Sequence, residues 1–200
     1  IQARKALFPI YKVLNSFHSL PFSTVVKIFD YKVSPILLYG SEIWGHTFRE
    51  SIEKVQSDFF KRCLRVPRRV SSNAVLGDAG RNYLCVSYHS RCISYWCRLI
   101  RMDSSRYPRA CYEMLKQFAE KDQRSWVSYV RLLLFETGFS YVWVAQEVGS
   151  VNVFINLFTQ RCRDIQSQNW HSKISGSTFL EHYSGFKSIL NVEKYIQELF

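Results

Sequence analysis

The 200-residue sequence predicts an all-α fold: a multi-helix bundle, with room for two adjoining helical subdomains. Three observations carry this. Across residues 50–66, at 100° per residue, Ile52, Val55, Phe59, Cys63 and Val66 fall on one side, with Lys54, Asp58, Lys61 and Arg65 opposite. Across residues 83–102, Leu84, Tyr88, Cys92, Tyr95, Trp96 and Leu99 cover a second broad apolar side. The segment 139–158 is ambiguous, because Phe-Ser-Tyr-Val-Trp-Val and Val-Asn-Val-Phe-Ile-Asn alternate like strands and permit a hairpin about Gly149-Ser150. Helices are favoured there, since Val153, Phe154, Leu157, Phe158, Cys162 and Ile165 continue at helical spacing.

In chain order, Ala3, Ala6, Leu7, Ile10, Leu14 and Phe17 mark a first helix that Pro9 is expected to kink or shorten, by removing one backbone donor. A turn at Leu20–Ser23 leads into residues 25–33, apolar on nearly every side. Ser34-Pro35 then permits a kink or a fresh start, with Ser34 as cap and Pro35 in the first turn. The apolar run Val33–Gly45 is expected in the core, with Tyr39, Gly40, Glu42 and Trp44 as structural residues supporting the basic helix that follows. Pro67-Arg68-Arg69 ends that helix. A short helix at 72–78 closes near Gly80, and the next runs from about Tyr83 to Met102. Others run from Tyr107-Pro108 to about Lys121 and from Ser125 to Thr137, where Gly138 stops the helix. Beyond Trp170 come a loop at Ser175-Gly176-Ser177, a weak segment to Gly185 and a last helix over 192–200.

At this length roughly 70% of the unfolded surface can be buried, enough for one core or two small ones. Uninterrupted apolar runs are only a few residues long, so no spanning helix and no membrane partner are expected. The chain opens Ile-Gln-Ala-Arg-Lys, with no secretory leader to read, and is taken as a section of a longer polypeptide. Its net charge of +11 is unevenly spread, with residues 54–109 carrying 12 basic and 3 acidic side chains and residues 110–200 carrying 9 of each. A polyanion partner is expected from that concentration. The charge change near 103–109 also marks the best boundary, giving regions 1–105 and 106–200.

Two sets of cations stand out. Lys54, Lys61, Arg62, Arg65, Arg68 and Arg69 form a first row on the basic helix and its end. Arg91, Arg98 and Arg101 form a second, interleaved with Ser87 and Ser94 at spacings of four, three, four and three. Guanidinium and hydroxyl donors are the groups that bind phosphate oxygens; the competing reading is exposed arginines pairing with acids elsewhere. The six cysteines read as reduced core residues, and the spacing of Cys85, His89, Cys92 and Cys97 matches no familiar zinc pattern. No phosphate loop, nucleophile elbow or paired aspartates are found, and the five histidines lie far apart, so no catalytic residue, metal ligand or cofactor is assigned.

Particular segments carry a resemblance. Ala-Arg-Lys-Ala-Leu-Phe at 3–8, Val-Ser-Pro-Ile-Leu-Leu-Tyr-Gly-Ser-Glu-Ile-Trp-Gly at 33–45, Ile-Glu-Lys-Val-Gln at 52–56, Phe-Phe-Lys-Arg at 59–62 and Leu-Gly-Asp-Ala-Gly-Arg at 76–81 are the first group. Ile-Ser-Tyr-Trp at 93–96, Arg-Asp-Ile-Gln-Ser-Gln-Asn-Trp at 163–170 and Tyr-Ser-Gly-Phe-Lys at 183–187 are the second. Together they resemble the region after the palm in LINE-like (non-LTR) retrotransposon reverse transcriptases of the jockey type. The resemblance implies a thumb-like region at 1–105 and a helical carboxyl-terminal extension at 106–200. It implies RNA or RNA–DNA duplex as a partner, together with the rest of the polymerase chain. Catalysis and its Mg2+ would belong to the palm, which these residues do not include, and the setting would be intracellular, in nucleus and cytoplasm. Pro9 departs from the expected pattern and raises a degenerate or domesticated copy. A second reading is a protein-interaction or scaffold module docking through Trp126, Tyr129, Tyr141, Trp143 and Trp170.

Overall fold

The computed structural model describes residues 2–16, 20–47, 50–121 and 124–199; Phe17, His18 and Phe200 lie outside them. Among the described residues the chain is helical, with one isolated antiparallel bridge between Ala79 and Val192. The all-α expectation holds, and 139–158 forms helices. None of the described helices is long and apolar enough to cross a membrane.

Helix α1 (Gln2–Ser16) runs through Pro9 without being shortened. Pro9 is exposed, while Ala3, Leu7 and Ile10 are buried, so the proline falls on the outer side. Helix α2 (Phe22–Ile28) passes through a π-helical turn at Phe29–Val33 into α3 (Ser34–Leu37). The Ser34 amide bonds to the Phe29 carbonyl, five residues back. That wide turn accommodates Pro35, which has no N–H and whose ring would clash with a carbonyl four residues earlier. Ser34 is therefore helical and makes no cap, contrary to the expected fresh start. Next come α4 (Ser41–Trp44), α5 (Glu50–Cys63), α6 (Ser72–Asp78), α7 (Cys85–Ile100) and α8 (Tyr107–Glu120). After them run α9 (Trp126–Glu136), α10 (Ser140–Ala145), the long α11 (Val151–Ser175), α12 (Glu181–Phe186) and α13 (Lys194–Leu199).

The chain divides into two compact units. The first combines residues 1–39, 49–84 and 166–200; the second combines 40–48 and 85–165. Both are discontinuous, and neither follows the charge change near residue 105. In the first unit, Phe29 lies 4.9 Å from Phe59 and 5.5 Å from Phe60, ring centre to ring centre, with Val25 and Val33 buried beside them. The carboxyl-terminal segment closes on α6. The Trp170 indole donates to the Asn73 carbonyl at 2.8 Å, and the Tyr183 hydroxyl donates to the Asp78 carboxylate at 2.8 Å. Gly77 admits this contact, since a Cβ there would lie 2.5 Å from the Tyr183 oxygen and 2.6 Å from the Trp170 ring. Lys187 is 1% exposed, with its ammonium donating to Asn191 and pairing with Glu193.

In the second unit α7 is central, its Tyr88, Cys92, Ile93, Trp96 and Cys97 wholly buried. The Trp96 indole donates to the Tyr112 hydroxyl at 3.0 Å and stacks on Trp143. Helix α4 is anchored through its backbone. The Ser41 carbonyl accepts from the Cys92 thiol at 3.3 Å, and the Glu42 carbonyl accepts from the Trp126 indole at 2.9 Å.

This arrangement corrects the expectation for Val33–Gly45. The run is divided after Tyr39 between the two units, and Tyr39 is 85% exposed rather than part of the core. Gly40 takes a left-handed φ of +66° at the start of α4, which suits glycine. Glu42 and Trp44 are half-buried, whereas Val33 and Ser41 are wholly buried, with Leu38 buried as well. Gly45 packs against α7, where an added Cβ would lie 2.9 Å from the Cys92 sulfur. The conspicuous aromatic-and-glycine pattern thus shapes α4 against α7, and α5 is held by other residues.

Candidate nucleic-acid interface

Helix α5 is buried on two sides. The predicted stripe supplies Val55 and Phe59; a second side supplies Glu53, Gln56, Ser57 and Phe60. The Glu53 carboxylate accepts the Leu84 amide at 2.9 Å, and the Gln56 side chain donates to the Asn82 carbonyl at 2.9 Å. A charged and an amide residue thereby fix the 82–84 segment, and the helix keeps one narrow open side.

That side faces a cleft of about 780 Å³ between α1 and the carboxyl-terminal end of α5. Arg4, Leu7 and Tyr11 line it from α1, and Lys54, Val55, Asp58, Lys61 and Arg62 from α5. Arg65 to Arg68 close its end. Arg4, Lys54, Arg62, Arg65 and Arg68 are exposed, and Asp58 is the one carboxylate among the lining residues. Burial pushes the Tyr11 hydroxyl up to about 12, and burial pushes the Cys63 thiol up to about 12 against the opposing pull of Arg62. Both stay protonated at neutral pH, so they add no negative charge to the cleft.

The cleft's end owes its shape to the way α5 stops. The Arg65 amide bonds to the Arg62 carbonyl at 3.2 Å and the Val66 amide to the Lys61 carbonyl at 3.0 Å, the paired bonds of a left-handed helix cap. Glycine usually holds the left-handed position; here it is Arg65, with φ +54°. Lys61 is only 8% exposed, and its ammonium donates to the Arg68 carbonyl at 3.0 Å. Its place among the outward-facing cations is therefore corrected: Lys61 ties the Pro67–Arg69 turn back to the helix. Arg69 is exposed beside that turn and does not line the cleft.

The second row lies in the other compact unit. Ser87, Arg91 and Arg98 are exposed along α7, with Ser94 half-buried, so these four form one helix side, and Arg101 is exposed in the turn just past its end. Arg101 is engaged by backbone, donating to the Val148 carbonyl at 2.5 Å and to that of Gly149, which holds the turn before α11.

Sequence reasoning missed Arg4 and Tyr11. Their spacing with Leu7, three then four, places all three on one side of α1, a signal that attention to apolar positions alone passed over. Four cysteines are buried as expected, Cys63 is half-buried and Cys111 is exposed. Among the described residues no three His, Cys, Asp or Glu side chains converge into a metal-holding group. No family model, no curated protein and no solved structure matches the chain.

Proposed function

We propose that the chain is a nucleic-acid-gripping helical module of a non-LTR retrotransposon reverse transcriptase, holding RNA or RNA–DNA duplex by its phosphates in the α1–α5 cleft. The observation that carries the reading is the cleft itself, five exposed cations from α1, α5 and the turn that follows it around a single carboxylate. On this reading the α7 arginines are a second backbone contact, the polymerase's chemistry and its Mg2+ belong to a palm elsewhere in the polymerase chain, and the work is done inside the cell, in nucleus and cytoplasm.

Contacts of this kind carry no base code, so affinity should be nearly independent of sequence. Filter binding with a panel of unrelated RNAs and RNA–DNA hybrids should give dissociation constants within a few-fold of one another. Preference for a single sequence, or no binding, contradicts the proposal. The polymerase part has its own test in the reading frame preceding Ile1, where a Tyr/Phe-x-Asp-Asp motif supports it and a frame without one favours a reused module.

The docking alternative drew on five aromatics. Trp143 and Trp170 are buried, Trp126 and Tyr129 are half-buried, and Tyr141 alone is exposed. Four of the five thus contribute to packing, which favours gripping over docking through that set.

A further inference from the structure

We infer that Arg62 is the phosphate fork of the α1–α5 cleft and that Tyr11 is its positioning residue; this rests on the nucleic-acid reading above. The geometry is a stack of rings leading outward from the core. Phe29 packs on Phe59 at 4.9 Å, and Phe59, wholly buried, stacks on Tyr11 at 6.0 Å with the planes 24° apart. The Arg62 guanidinium sits over the Tyr11 ring, 4.0 Å from its centre. Arg62 is exposed at the end of this stack and forms no ion pair among the described residues.

A guanidinium held over a ring face is fixed in place, and its N–H donors directed away from the ring can fork onto two oxygens. The two non-bridging oxygens of a phosphodiester match that fork, whereas an ammonium acts there as a point charge. Arg4, Lys54, Arg65 and Arg68 then supply attraction, and Arg62 supplies shape. Tyr11 acts through its ring, so its hydroxyl is dispensable.

The test is the salt dependence of binding by the full 200-residue chain to a labelled RNA–DNA hybrid. R62K keeps the charge and loses the fork; it should weaken hybrid binding about tenfold, the worth of one charge-assisted hydrogen bond, and leave the slope of log K against log salt unchanged. Y11F should bind like the wild type, and Y11L should lose affinity as R62K does, again at unchanged slope. If R62K binds the hybrid as tightly as the wild type, the fork assignment is overturned while phosphate gripping stands. If the wild type shows no salt-dependent binding, the underlying function fails as well. Thermal melting monitors Y11L; should it unfold, R62K, altered only at an exposed side chain, still decides the matter.

Discussion

Arg65 is a residue whose backbone and side chain pull apart. Its left-handed φ of +54° suits glycine, and a side chain with a Cβ in that position costs about 1 kcal/mol. Its side chain, however, closes the cationic cleft. R65G should therefore raise stability by up to about 1 kcal/mol in a denaturant titration while weakening nucleic-acid binding and lowering the salt slope by about one. Lys61 is the converse case, a cation turned inward onto the Arg68 carbonyl. K61M should lower stability by about 1 kcal/mol, the worth of that hydrogen bond, and leave the salt slope where it is. A slope reduced by one in K61M would return Lys61 to the outward row. The helical projection could not separate these two residues, because 54, 58, 61 and 65 share a side and only the fold decides which of them is covered.

At the scale of elements, the helices with strong apolar periodicity and clear end signals were legible: α5, α6, α7, α8 and α9 lie close to where pattern and caps put them. Less legible was the π turn at Phe29–Val33, because Ser-Pro reads locally as a stop and the wider hydrogen bond that lets the helix continue has no residue signature. Polar residues also hid burial. Glu53 and Gln56 look like surface residues, yet they hold the backbone of 82–84. On α7, His89 stands edge-on to Tyr88 and Tyr129, and burial lowers its pKa to about 4. Since the folded value lies below the unfolded one, the unfolded chain binds the proton first as pH falls. Stability should then drop between about pH 6.5 and pH 4, by at most about 1.4 kcal/mol per pH unit from this group. H89F should flatten that part of the profile; an unchanged profile would assign the loss to other groups.

For the whole molecule, charge was a misleading guide to domain limits. Charge reports surface, whereas compact units are set by contacts, and residues 166–200 return to α6 through Trp170, Tyr183 and Asp78. That return depends on Gly77, and G77A should destabilise the protein by about 2–3 kcal/mol, read from chemical denaturation, because the neighbouring indole is rigid and leaves no room. A neutral G77A would mean the carboxyl-terminal segment is not held as described. The central claim, that the α1–α5 cleft grips phosphates, meets its most direct test in the slope of log K against log salt for an RNA–DNA hybrid. The five exposed cleft cations should contribute about −3.5 to −4.5 to that slope, beyond what the α7 arginines add. Replacing Arg4, Lys54, Arg65 and Arg68 with glutamine should make it shallower by about 3. A wild-type slope near zero, or a quadruple variant that binds like the wild type, would contradict the account.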